Sequence, residues 1–94
     1  MEDYISIVET QNEIMGAMEK LLTNFKKDSS ERKTQSYIKR RLETLEAYWK
    51  EFLENHNKLE EISEKTKYPY FTENYYQQTL RFYTETKKYF EKFT

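Results

Sequence analysis

Residues 37–62 read YIKRRLETLEAYWKEFLENHNKLEEI. Within them Ile38, Leu42, Leu45, Trp49, Phe52, His56 and Leu59 recur at alternating steps of four and three. That spacing lines all of them up on one stripe of an α-helix. Tyr37, Tyr48, Leu53 and Ile62 widen the stripe into a face. The pattern predicts a helix over about 31–65, on the order of 50 Å long at roughly 1.5 Å per residue. A face this wide is covered only by packing against neighbouring helices, and the flanking sequence supplies two.

On the N-terminal side, Tyr4, Val8, Gln11, Met15, Met18, Leu22 and Phe25 repeat the same steps. Ile7, Ile14 and Leu21, each seven apart, lie beside them, which predicts a first helix over about 3–27. Gly16 is a weak point inside it, tolerated rather than required. Residues 28–34 are a polar break, and either Asp28 with Glu31 or Thr34 alone suits the cap of the second helix. On the C-terminal side, Pro69 disfavours helix at Tyr68, and Thr72 followed by Glu73 suits a new N-cap. The third helix is expected over about 73–92. One stripe carries Tyr76, Leu80, Tyr83 and Phe90, interrupted by Lys87, and a second carries Tyr75, Phe82 and Tyr89, extended by Phe93. The expected fold is all-α: one helical domain over 1–94, an antiparallel three-helix bundle or a long helical hairpin with coiled-coil-like packing.

Composition agrees with that reading and removes others. The chain has 94 residues, 36% hydrophobic and 35% charged, which is lean for a core, but nine Tyr, six Phe and one Trp supply large rings. Without cysteine there is no disulfide framework or thiolate site. One glycine, one proline and one histidine leave no glycine-rich phosphate loop, no histidine zinc cluster and too few breakers for an all-β fold. No apolar run is long enough to span a membrane, and the acidic N-terminus is unlike a signal peptide, so an intracellular, cytoplasmic or nuclear location is expected. Net charge is −1 overall but alternates along the chain: −4 over residues 1–24, +5 over 25–41, −5 over 42–64 and +3 over 65–94. In an antiparallel fold this pattern predicts an acidic first helix beside the basic start of the second. It also predicts the acidic end of the second helix beside a basic third.

The expected packing and interface residues are Leu42, Leu45, Trp49, Phe52, His56 and Leu59 on the second helix, with Tyr76, Leu80, Tyr83 and Phe90 on the third. His56 has no second histidine or cysteine to share a metal, so a hydrogen-bonded boundary histidine is expected rather than a ligand. Glutamate pairs such as Glu43/Glu46 and Glu60/Glu64 read as solvated faces rather than acid–base dyads. No nucleophile with an activating base is evident, so catalytic, cofactor and metal residues are all expected to be absent. Lys39, Arg40, Arg41, Lys87 and Lys88 form a candidate basic patch. With Lys26 and Lys27 they support an alternative reading as a nucleic-acid or membrane-surface binder, which the near-zero net charge weakens.

One family resemblance rests on particular residues. Arg41-Leu42-Glu43, Leu45-Glu46, Trp49, Phe52, His56 and Leu59, then Tyr70-Phe71 and Tyr75-Tyr76, follow one another as a Trp-Phe-His helix, an aromatic turn and a tyrosine-rich helix. Across residues 32–93 this resembles the helical N-terminal region of Gag polyproteins from insect LTR retrotransposons of the Bel/Pao type, or a Gag-derived host module. The resemblance implies a structural polypeptide that self-associates without catalysis, its partner a second copy or another helical chain. In such proteins a later zinc-knuckle segment handles nucleic acid, and these residues contain none. Independently of the resemblance, a second helix that overhangs its neighbours is expected to leave apolar surface for a partner.

Overall fold

A computed structural model describes residues 4–94. Four helices follow in chain order: α1, Tyr4–Lys27; α2, Gln35–Glu60; α3, Pro69–Thr72; and α4, Tyr75–Glu91. Short 3-10 turns at Ser30–Arg32 and Lys65–Lys67 lie in the connectors. No strand occurs among the described residues, and the fold is all-α. The expected start of the first helix at Asp3 lies outside the described residues.

The second helix begins where Thr34 turns it. Thr34 is extended, and its hydroxyl accepts a hydrogen bond from the Tyr37 backbone N–H at 3.2 Å. The helix therefore starts at Gln35 rather than near 31. Asp28, the other capping candidate, instead accepts from the Tyr37 hydroxyl and lies 3.8 Å from Arg41. The far end stops at Glu60 rather than 65. The Ile62 N–H closes on the Leu59 carbonyl at 3.0 Å, and Glu64 takes a left-handed conformation at φ 60°. Ile62 thus leaves the helix and folds against Ile7, Leu59 and Tyr70.

Pro69 starts a helix instead of only ending one. It occupies the first position of α3, where its missing N–H is not needed. Thr72 is consequently the last residue of α3 and not the cap of the final helix. Asn74, left-handed at φ 55°, takes the N-cap place of α4 without a side-chain bond to it. Asn tolerates that conformation better than most residues.

α1 and α2 run antiparallel, as the pairing of Gln11 with Phe52 and of Phe25 with Tyr37 requires. α4 returns antiparallel to α2, with Tyr83 against Trp49 and Tyr76 against His56. α1 and α4 both pack along α2 and meet each other more sparsely. The molecule measures 50 × 23 × 17 Å. The main core joins Ile14, Met18, Leu21 and Phe25 of α1 to Ile38, Leu45, Trp49 and Phe52 of α2 and Phe90 of α4. A smaller cluster of Ile7, Leu59 and Tyr70 closes the other end. Buried positions on α2 run from Ile38 to Leu59. The expected apolar overhang of the second helix is therefore absent, because the shorter helix is covered by α1 and by the returning α3.

Gly16 lies exposed on α1, and a methyl group built there meets nothing within 4 Å. Gly16→Ala should raise stability by about 0.5–1 kcal/mol in urea unfolding, by removing the helix penalty of glycine without a clash. An unchanged or lower midpoint would mean that the glycine serves a contact beyond this chain.

Candidate functional site

Leu45, Phe52, Leu59 and Phe90 are fully buried, and Trp49 nearly so. Trp49 is sandwiched between rings, stacked on Phe52 at 5.3 Å and on Tyr83 at 4.6 Å. Leu42, His56, Tyr76 and Tyr83 are half-buried. Leu80 is the exception: it is exposed, and the buried position beside it is Thr79. On α4 the inward line is Thr79, Thr86 and Phe90, so the expected stripe through Leu80 is rotated by about one residue. Small threonines lie innermost and the rings flank them.

His56 belongs to a chain of hydrogen bonds that joins α1, α2 and α3. The Tyr70 hydroxyl lies 2.8 Å from His56 Nδ1, and His56 Nε2 lies 3.0 Å from Glu60 Oε1. Lys65 follows at 3.4 Å from the other Glu60 oxygen. Gln11, fully buried, donates from Nε2 to the Phe52 carbonyl at 3.0 Å and to the Tyr70 oxygen at 3.3 Å. Its own Oε1 accepts from Asn55 at 3.3 Å, and the Tyr70 backbone N–H donates to the Tyr4 hydroxyl at 3.2 Å. A neutral imidazole with its proton on Nε2 fits every partner: it donates to Glu60 and accepts the Tyr70 proton on Nδ1. This network is structural in character, since it docks the one-turn α3 and holds α1 to α2. Gln11 stood on the apolar stripe in the sequence. Asn55 gave no signal there, because a polar residue beside the stripe looks like a solvated one.

Burial shifts the two titrating members in opposite directions. Desolvation lowers the His56 pKa below its ordinary value, and the Glu60 carboxylate opposes it only in part. Desolvation pushes Tyr70 up to about 12, with the Gln11 hydrogen bond acting the other way.

The charge pattern resolves differently from the expectation. The basic start of α2 lies beside the basic end of α1, because the short connector returns the chain directly at that level. The C-terminal end of α4 arrives at the same place, with Phe90 4.5 Å from Phe25. Basic residues from three helices therefore gather at one end of the molecule. Among the candidate patch residues, Lys39, Arg40 and Lys88 are exposed, Arg41 is engaged by Asp28 and the Tyr37 ring, and Lys87 pairs with Glu46 at 3.4 Å. The acidic stretch of α2 is met by α4 at Glu46, which pairs with Lys87, and at its far end by Lys65, which pairs with Glu60.

The seam between α1 and α4 contains a cleft of about 210 Å³, lined by Leu22, Lys26, Phe82, Glu85, Thr86 and Tyr89. Thr86 is 2% exposed, and its hydroxyl has no hydrogen-bond partner. Thr10, Thr44 and Thr79 instead return their hydroxyls to the carbonyl four residues back, at 2.9–3.1 Å. A buried hydroxyl left unpaired costs on the order of 1–3 kcal/mol. Sequence patterning missed this site because Thr86 reads as a polar surface residue. Among the described residues, no group of three His, Asp or Glu is arranged to hold a metal, and no helix is long and apolar enough to cross a membrane.

The pKa directions predict a stability window. The folded state resists protonating His56, so this contribution is complete above about pH 6.5 and is lost as pH falls below it. The protonated ring would turn Nδ1 into a donor facing the Tyr70 hydroxyl. At the other limit the folded phenol stays protonated, so its contribution is complete below about pH 10 and is lost as pH rises toward about 12. The alkaline loss is on the order of 2 kcal/mol. Thermal unfolding against pH should show both flanks; Tyr70→Phe should reduce the alkaline one and His56→Gln the acid one. Profiles identical to the parent's would remove these two groups as the cause.

The chain was compared with protein-family models, with curated proteins and with solved structures, and it matches none of them.

Proposed function

We propose that this chain is a non-enzymatic assembly module that docks a protein partner along the α1–α4 seam. The observation that carries this reading is the cleft itself. Leu22, Phe82 and Tyr89 offer apolar surface there, and the buried Thr86 hydroxyl lacks a partner. An occupant that covers the rings removes their apolar surface from water. The buried polar network, by contrast, is satisfied within the chain. The reading does not depend on the resemblance to Gag helices, which the comparisons leave without support.

A photo-activatable phenylalanine analogue at position 82 tests it in the cells that make the protein. Protein adducts identified by mass spectrometry are expected at this position, not at exposed Glu43 on α2, and Leu22→Asp should abolish them. Absence of adducts at position 82, or equal labelling at both positions, would overturn the docking reading.

A second reading rests on a separate observation, the gathering of basic residues from three helices at one end. That end suits a polyanion, which Lys39, Arg40 and Lys88 would meet first. Binding to single-stranded RNA should then fall steeply between low and physiological salt, and Lys39→Glu with Arg40→Glu should weaken it. A flat salt response would set this reading aside.

A further inference from the structure

We infer that the basic end of the molecule binds single-stranded nucleic acid by stacking unpaired bases on Phe93 and Tyr89, while the lysines that cover these rings move onto the phosphates. The inference rests on the polyanion reading above and names the ligand and the way it is held. It is carried by a row of rings and by what lies on them.

Phe25 sits in the middle of the row. Its centroid lies 5.7 Å from Tyr37, 5.2 Å from Phe93 and 5.9 Å from Tyr89, and Tyr89 lies 5.5 Å from Phe93. Phe25 is fully buried, Tyr37 and Tyr89 are half-buried, and Phe93, just beyond α4, is 36% exposed. Every ring of the row carries a cation. Lys33 Nζ lies 4.8 Å from the Phe25 centroid and 4.9 Å from that of Phe93. Lys26 and Lys92 lie over Tyr89 at 5.3 and 5.7 Å, and the Arg41 guanidinium lies over Tyr37 at 4.9 Å.

These cations lie on rings because few carboxylates compete for them. Residues 20–43 and 88–94, which make up this end, hold ten basic and four acidic residues, a net +6. The rest of the chain holds six basic and thirteen acidic residues, a net −7. Of the four acids at the basic end, Asp28 is taken by Arg41 and by the Tyr37 hydroxyl. Glu31, Glu43 and Glu91 are exposed, and none of the nine remaining bases is in an ion pair among the described residues.

A single strand replaces both halves of this arrangement at once: its phosphates take the cations, and its bases take the ring faces. A duplex keeps its bases stacked on one another and offers the rings nothing. A bilayer offers phosphates but is entered by apolar side chains, and among the described residues Phe93 is the only exposed large hydrophobic one at this end. The negative remainder of the chain turns a polyanion toward this end.

Fluorescence anisotropy on the purified full chain, with a labelled single strand of about 12 adenylates, tests the platform. Unlabelled RNA and DNA strands should both compete. At equal phosphate concentration, inorganic polyphosphate and a DNA duplex should compete at least about fivefold less well. Phe93→Leu should weaken strand binding about fivefold or more, the worth of one stacked base, and Phe93→Trp should retain it. Phe93→Leu should leave the salt slope and the polyphosphate affinity unchanged, whereas Lys33→Gln should lower the slope by about one phosphate contact. Unchanged helical circular dichroism would show that the variants fold. Polyphosphate or duplex that competes equally, or a Phe93→Leu chain that binds like the parent, overturns stacking and leaves the polyanion reading standing. A parent that does not bind the strand, whether or not it binds phosphatidylserine vesicles, overturns both.

Discussion

One face of α2 has to be kept from water on two sides, and the rest of the structure is arranged around that requirement. Ile38, Leu45, Trp49, Phe52 and Leu59 are all buried, too many for a single neighbouring helix to cover. α1 takes one flank with Ile14, Met18, Leu21 and Phe25, and α4 takes the other with Phe90 and the tyrosine rings. With so few aliphatic residues available, the rings do much of the filling. Phe25 alone meets Tyr37, Tyr89, Phe90 and Phe93 within 6 Å. Removing any of these large side chains leaves a cavity that a bundle only 17 Å thick has few atoms to close.

The face of α2 was legible in the sequence because a strict period leaves little choice about which residues face inward. The ends were not. Helix termini are usually announced by glycine, and this chain spends its only glycine in the middle of α1. Glu64 and Asn74 adopt the left-handed turns instead, and neither residue type marks such a turn by itself. α4 was misread for a related reason. Hydrophobic patterning chose Leu80, yet α4 turns Thr79 and Thr86 inward. A helix whose large rings come in adjacent pairs every two turns approaches its neighbour most closely along its small residues.

The polar network at the other end follows from the same geometry. Between the main core and the Ile7–Leu59 cluster, apolar side chains give way to Gln11, Asn55, His56 and Tyr70. Each is matched to a donor or acceptor, which an apolar cluster would not require. Sliding α1 by one turn against α2 would leave the Gln11 amide buried and unpaired, at a cost of several tenths to a few kcal/mol. The network therefore fixes register, whereas the aromatic core tolerates more than one. It also explains how a helix as short as α3 stays in place: Tyr70 is held by His56 and Gln11 through its hydroxyl and by Tyr4 through its backbone.

The open seam is the remaining consequence of turning threonines inward on α4. The rings displaced from the centre divide into two rows. Tyr83 stacks on Trp49 of α2 and Tyr76 lies tilted against it, so both are consumed there. Phe82 and Tyr89 fall on the α1 side, where Leu22 and Lys26 line the cleft with them and Phe25 meets Tyr89 edge-on. α1 cannot move in to close the gap, because the Gln11 bonds and the Phe25 cluster tie it to α2 at both ends. The register that satisfies the interior thus leaves the third seam wide. Thr86, innermost in that seam, has a buried hydroxyl without a hydrogen-bond partner. Two constraints that stabilise the fold, small residues on α4 and a pinned α1, together create the cleft.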